Sequence, residues 1–147
     1  MYKILLPTDG SDHSQKAVQQ SMAFAKALNA QVTGLHVIPA FHTRMEEGFV
    51  APTSRVFKER AEEESRARAQ RVLAAVETEA KGAGIECECV VAISDTVYEE
   101  IIDTAEKKNC DLIIMASHGH AGMTGLLLGS ETAKVLTHTR LPVLVLR

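Results

Sequence analysis

Between Ala116 and Ser130 the chain carries four glycines, Gly119, Gly122, Gly125 and Gly129, among Ser117, His118, His120, Thr124 and a closing Ser130. Glycine lets backbone N–H groups approach an anion with no Cβ in the way. A helix beginning at Ser130 adds unpaired N–H groups and the positive end of its dipole, and Ser130 at the cap position can add a hydroxyl. The chemistry that suits this composition is the holding of phosphate oxygens. On spacing alone, glycines that merely make turns, with Leu126 to Leu128 packed beneath them, explain the stretch equally well.

Two stricter phosphate motifs are absent. A phosphate loop needs Lys and then Ser or Thr directly after its second glycine, whereas Gly129 is followed by Ser130 and Glu131. A dinucleotide fingerprint would follow the first strand, where only Gly10 stands. His118 and His120 lack the carboxylates or cysteines of a metal or catalytic set, so surface or phosphate contacts are expected of them. Cys87 and Cys89 share one face of a strand and Cys110 stands apart. With no zinc-type spacing among them, all three are expected to pack as small buried apolar side chains. No nucleophile and base pair marks an enzyme.

The elements that must position this stretch follow from the hydrophobic pattern. Apolar runs and helical patterns alternate from end to end, the signature of strand–helix–strand units and a parallel sheet. Ile4, Leu5 and Leu6 make a first buried strand stopped by Pro7. Asp9-Gly10-Ser11 then supplies turn and cap for a helix carrying Ala17, Val18, Met22, Ala25 and Leu28, ended by Asn29. Gln31 to Ile38 is a second strand, and a long loop from Pro39 to about Ser54 leads to a helix from about Arg55 to Lys81, closed by Gly82 and Gly84. A third strand from Ile85 to Ala92, a third helix from Thr96 to Lys108 and a fourth strand from Leu112 to Met115 come next. A fourth helix from Ser130 to Thr137 and a last strand from Val143 to Leu146 complete the order. The pattern predicts one α/β domain: a three-layer sandwich with an open, Rossmann-like sheet of five parallel strands and four helices. Ligands in such folds bind beyond the carboxyl ends of the strands. The first and fourth strands are then neighbours, which brings Pro7, Thr8 and Asp9 beside Ala116 to Gly119.

Composition narrows the partners. A length of 147 residues suits one domain, and a net charge of -3 lacks the basic excess of a general nucleic-acid binder. No apolar run approaches the ~20 residues that cross a bilayer as a helix. Met1 to Leu6 reads as strand and not as a leader, so a cytoplasmic protein with no nucleic-acid or membrane partner is expected. Val143 to Leu146 is a flat apolar strand near the sheet edge with only Arg147 after it, and such an edge usually pairs with something.

Four motifs stand in a telling order: Pro7-Thr8-Asp9-Gly10-Ser11, Leu35-His36-Val37-Ile38, Cys110-Asp111-Leu112-Ile113-Ile114-Met115, and Gly129-Ser130 through Pro142-Val143-Leu144-Val145. In these the chain resembles the universal stress proteins over nearly its whole length. ATP-binding members carry G-x-x-G, nine residues, then G-[ST]. Here Gly119 plus nine residues does lead to Gly129-Ser130, while the first glycine of the pattern is Ala116. The resemblance implies an adenine nucleotide alpha hydrolase-like fold and a regulatory module of the stress response. It also implies ATP as ligand, with Mg²⁺ or Mn²⁺ accompanying it, and a homodimer through the last strand. By the same resemblance Pro7, Thr8, Asp9 and Val37 would surround adenine and ribose, and Gly119, Gly129, Ser130 and Glu131 would meet the phosphates. Ala116, Ser117 and His118 complete that nucleotide-binding set.

Alanine at 116 is tolerable where φ is negative and obstructive where φ is positive or the ribose comes close. Relatives often have Gly and Pro before the third helix where this chain has Asp95 and Val97, a departure expected to concern a turn and not the ligand. Two rival readings are a nucleotide-free stress protein acting through partners, to which Ala116 points, and a slow ATPase, for which no base is visible.

Overall fold

The run Ile4-Leu5-Leu6 is apolar on both sides of the pleat, which suits a strand covered on both faces. In the computed structural model, which describes residues 1–40, 54–118 and 127–147, these three side chains are at most 1% exposed and form the middle of β1 (Tyr2–Pro7). The other strands are β2 (Ala30–Ile38), β3 (Cys87–Ile93), β4 (Leu112–Ala116) and β5 (Val143–Leu146). The helices are α1 (Asp12–Ala27), α2 (Ser54–Gly82), α3 (Val97–Lys107) and α4 (Ser130–His138). Every strand pairs in parallel, in the order β3-β2-β1-β4-β5, so β1 is central and β4 lies directly beside it. The chain lays β2 and β3 outward on one side of β1, then crosses to build β4 and β5 on the other. The connections leaving β1 and β4 therefore diverge and leave a crevice at their carboxyl ends.

Alternation along β1 splits the core into two. Ile4 and Leu6 pack with Val18, Met22 and Ala25 of α1 and with Val76 and Ala80 of α2. Leu5 points the other way, to Ile101 and Ala105 of α3 and Val135 of α4, together with Ile113 and Met115 of β4. Helices thus cover both faces, giving the expected three layers, and each fully buried Leu or Ile contributes roughly 1.5–3 kcal/mol. The helix α2 comes close to β2 because Gly34 has no side chain. A Cβ there would stand 3.1 Å from Val76 Cγ1 and 3.3 Å from Cys89 Sγ.

Each expected strand and helix is present, with shifts at the ends. The first helix stops at Ala27, and Asn29 at φ 49° turns the chain in the left-handed region that Asn tolerates. The strand β3 starts at Cys87 and not at Ile85, because the Ile85 N–H closes the end of α2 by donating to the Ala80 carbonyl at 2.8 Å. The cysteines depart in part from the expectation of full burial. Cys110 is buried, whereas Cys87 and Cys89 lie on the sheet's outer strand and are only half-buried. Most of the long loop, residues 41–53, lies outside the described residues. Among the described residues no helix is long and apolar enough to cross a membrane.

Candidate functional site

The turn after β1 is held by its own side chains. Asp9 Oδ1 accepts from the Ser11 N–H at 2.9 Å and from the Ser14 hydroxyl at 2.7 Å, while Ser11 Oγ caps α1 by accepting from the Ser14 N–H. Gly10 sits at φ 80° with Val72 Cγ2 only 2.6 Å from where a Cβ would be, so both backbone and packing demand glycine. Thr8 is buried and donates its N–H to the Leu35 carbonyl at 2.9 Å, and its own carbonyl lies 2.9 Å from Nδ1 of the buried His36. These bonds tie the carboxyl ends of β1 and β2 together and fix where Pro7, Thr8 and Asp9 stand.

The carboxyl end of β4 is tied to α4 in a similar way. The Gly129 N–H donates to the Ser117 carbonyl at 2.7 Å, and Thr132 Oγ1 donates to the Ala116 carbonyl at 2.9 Å. A Cβ on Gly129 would meet both the Ser117 carbonyl oxygen and His118 Cα at 2.9 Å. Glycine is therefore required here for close approach; its φ of -61° suits any residue. One expectation needs correcting: the helix cap is Gly129, and Ser130 is the first helical residue. Because the cap has no side chain, it makes no side-chain bond to the first-turn N–H groups of α4.

Between these two supports lies a cavity of about 580 Å³, within the range of small-molecule sites. Apolar side chains of Leu35, Val37, Val97, Ile101, Met115 and Leu128 line it, together with the polar residues Thr8, Asp9, Ser14, Ser130, Glu131 and Thr132. Of the expected residues, Pro7, Thr8, Asp9, Val37, Ala116, His118, Gly129, Ser130 and Glu131 all border this one space. Ser117 does not. It is buried, and its hydroxyl lies 2.8 Å from His118 Nδ1, orienting a ring that also packs edge-on against His13 at 4.3 Å between centroids. Gly119, like His120, lies outside the described residues.

Ala116 lies in β4 and is not among the residues with positive φ, so its methyl imposes no backbone strain. It is 8% exposed and forms part of the cavity wall. Val97 also lines the cavity, which corrects the expectation that the departure at Asp95 and Val97 concerns a turn alone. The other residues that sequence reasoning missed, Leu35, Ile101 and Met115, are core positions whose neighbours along the strand or helix give no sign of a cavity. Leu35 and Met115 stand in the carboxyl-terminal halves of β2 and β4, and Ile101 lies within α3.

Glu131 has a task that no motif announces. Its Oε2 accepts from the Tyr98 N–H at 3.0 Å, and its Oε1 pairs with Lys134 Nζ at 3.3 Å. Thr96, the N-cap of α3, makes no side-chain cap bond, so Glu131 caps α3 from the neighbouring helix. Replacing Glu131 by Ala is expected to lower stability by about 1 kcal/mol, the usual cost of a lost cap. In a thermal melt this reads as a fall of about 2–4 °C. Glu131→Gln, which keeps an acceptor oxygen, should retain most of it. Among the described residues no group of three or more His, Cys, Asp or Glu could hold a metal ion.

Comparison with known proteins places the fold and the cavity in context. The sequence model of the Universal stress protein family matches residues 1–147. Universal stress protein MJ0531 of Methanocaldococcus jannaschii is 32% identical over 147 residues, spanning 99% of this chain and 81% of that one. The solved structure of protein MJ0577 aligns with a TM-score of 0.82 at 30% identity, covering 98% of this chain and 94% of that one. Two more distant structures share the fold. One is a universal stress protein in complex with cAMP, with a TM-score of 0.68 at 22% identity, covering 99% of this chain and 96% of that one. The other, from Archaeoglobus fulgidus in complex with dAMP, has a TM-score of 0.71 at 16% identity, covering 100% and 98%. With its whole length matched by the family model and its fold shared with a relative 30% identical, the chain belongs to the universal stress protein family.

Proposed function

We propose that the cavity at the carboxyl ends of β1 and β4 holds an adenine nucleotide, ATP in the first place, and that the protein is a regulatory binding module whose surface changes with occupancy. The observation that carries this is the meeting of apolar walls with a helix start whose cap residue makes no side-chain bond, in one space at the sheet's switch point. Leu35, Val37, Val97, Ile101 and Met115 offer adenine the flat apolar contacts it needs, and Thr8 and Asp9 stand within the same wall as polar partners for the ribose. The first-turn N–H groups of α4 and the Ser130 hydroxyl suit the phosphates. The complexes of two fold neighbours with cAMP and dAMP support the adenine preference.

Asp9 and Glu131 already accept hydrogen bonds from Ser11, Ser14 and Tyr98, so a Mg²⁺ or Mn²⁺ ion would take its ligands from phosphates and water. Amide chemical shifts followed by NMR during ATP addition test the location. Perturbations are expected at Thr8, Asp9, Val37, Val97 and the start of α4, and shifts confined to other surfaces would place the ligand elsewhere.

Restoring the family glycine is expected to change little. In a strand with negative φ, Ala116→Gly adds freedom that the native backbone does not use, so stability should fall by ~0.5–1 kcal/mol. ATP affinity should stay within about fivefold, equivalent to ~1 kcal/mol. A large gain in affinity would show that the methyl obstructs the ligand and would favour a nucleotide-free role for the natural chain.

The protein is read as one cytoplasmic domain that pairs with a second copy through β5, the outer strand beside β4, whose side chains are all half-buried. Sedimentation at micromolar concentration should give a dimer, and a monomer would remove that part of the proposal.

A further inference from the structure

Cys87 and Cys89 stand two positions apart on β3, so their side chains leave the strand in the same direction, toward α2. The Cys89 thiol donates to the Leu73 carbonyl of α2 at 3.7 Å. Across the ladder Cys89 faces Gly34, whose missing side chain leaves the sulfurs their space. Both residues are half-buried, while Cys110 is buried in the core on the opposite face of the sheet.

The Cys87 thiol donates to the Glu88 carbonyl at 3.6 Å, and the two thiols, side by side on one face, influence each other's titration. The neighbouring Cys89 thiol, helped by the Gly34 backbone, holds the Cys87 thiol below its ordinary value, although burial and the charges of Glu77 and Glu88 act against this. The neighbouring Cys87 and burial push the Cys89 thiol up. Of the two, Cys87 is the more readily deprotonated. Nothing in the nucleotide cavity uses either of them.

We propose that Cys87 and Cys89 form a dithiol that hydrogen peroxide oxidises to a reversible disulfide within the outer strand β3. The Cys87 thiolate attacks one peroxide oxygen, the O–O bond breaks, and hydroxide leaves, so sulfur loses two electrons and becomes a sulfenic acid. The Cys89 sulfur then attacks that sulfur, the S–O bond breaks, and the oxygen leaves as water with the Cys89 proton. Residues two apart in a strand have Cα atoms ~6.6 Å apart, near the upper end of the ~4.4–6.8 Å that a disulfide spans. Closing the bond therefore bends β3. The strand can yield because, among the described residues, it has a ladder on one side only, to β2, and the resulting strain makes the disulfide easy to reduce.

Mass spectrometry of the folded protein after peroxide, and again after dithiothreitol, tests this. The expected product has lost two hydrogens, carries a disulfide mapped to Cys87 and Cys89, and reverts with dithiothreitol. Cys110→Ser should still form it, whereas Cys87→Ser and Cys89→Ser should not. In Cys89→Ser the reaction should stop at a sulfenic acid on Cys87 that dimedone captures. An unchanged mass, oxidation confined to Cys110 or methionine, a disulfide only between chains, or dimedone capture at Cys89 in Cys87→Ser but not at Cys87 in Cys89→Ser would overturn the proposal. The wild-type mapping stands independently of whether any variant folds.

Discussion

Gly129→Ala is expected to lower both the stability of the protein and its affinity for ATP. The backbone at φ -61° accepts alanine, so the effect comes entirely from crowding. The added Cβ would stand 2.9 Å from the Ser117 carbonyl oxygen and from His118 Cα, and backbone atoms cannot swing aside as a side chain can. Relief requires α4 to move away from the end of β4. That movement loosens the 2.7 Å bond from the Gly129 N–H to Ser117 and the Thr132 bond to Ala116. Overpacking of this kind costs ~1–3 kcal/mol. The same movement displaces the first-turn N–H groups proposed to hold phosphate, so affinity should fall by roughly thirtyfold, equivalent to ~2 kcal/mol. Thermal denaturation and ATP titration of one preparation measure both effects. Unchanged values in both would mean that α4 does not need this close approach.

Ala116→Leu is expected to weaken ATP binding more than it lowers stability. Ala116 borders the cavity but is only 8% exposed, so a leucine there crowds the surrounding protein as well as the space the ligand needs. Overpacking at a buried strand position costs ~1–3 kcal/mol, so the melting temperature without ligand should fall by several degrees as well. ATP affinity should drop by about a hundredfold or more, equivalent to ~2.7 kcal/mol. Ligand present at a hundred times its dissociation constant stabilises a protein by ~2.7 kcal/mol. The thermal shift that ATP gives the wild-type chain at that concentration should therefore all but vanish in the variant. An undiminished shift would place the nucleotide away from β4.

The elements were legible because each has a strong periodic signal. Ile4-Leu5-Leu6 could only be a strand buried on both faces, and Asp9-Gly10-Ser11 reads as turn and cap because those side chains bond their own backbone. The neighbouring of β1 and β4 followed from the strand–helix alternation, and it placed Thr8 and Asp9 on the same cavity as Ala116 and Gly129 although they lie far apart in sequence. What sequence could not supply was contact between elements. Glu131 reads as a residue beside a phosphate site until its carboxylate is seen capping α3. Val97 reads as part of a turn until α3 is seen leaning over the cavity. The need for glycine at 129 arises from the backbone of Ser117 and His118, which no local pattern reveals. The half-exposure of Cys87 and Cys89 depends on which strand ends the sheet, a matter of strand order and not of the residues themselves.

Calorimetric titration of nucleotide-stripped protein with ATP, with and without Mg²⁺, tests the central claim most directly. Saturable binding of one ATP per chain with a dissociation constant well below about 1 mM, equivalent to more than ~4 kcal/mol of binding free energy, is the expected result. It should weaken in Gly129→Ala and be lost in Ala116→Leu. No binding at millimolar ATP would contradict a nucleotide site at the carboxyl ends of β1 and β4.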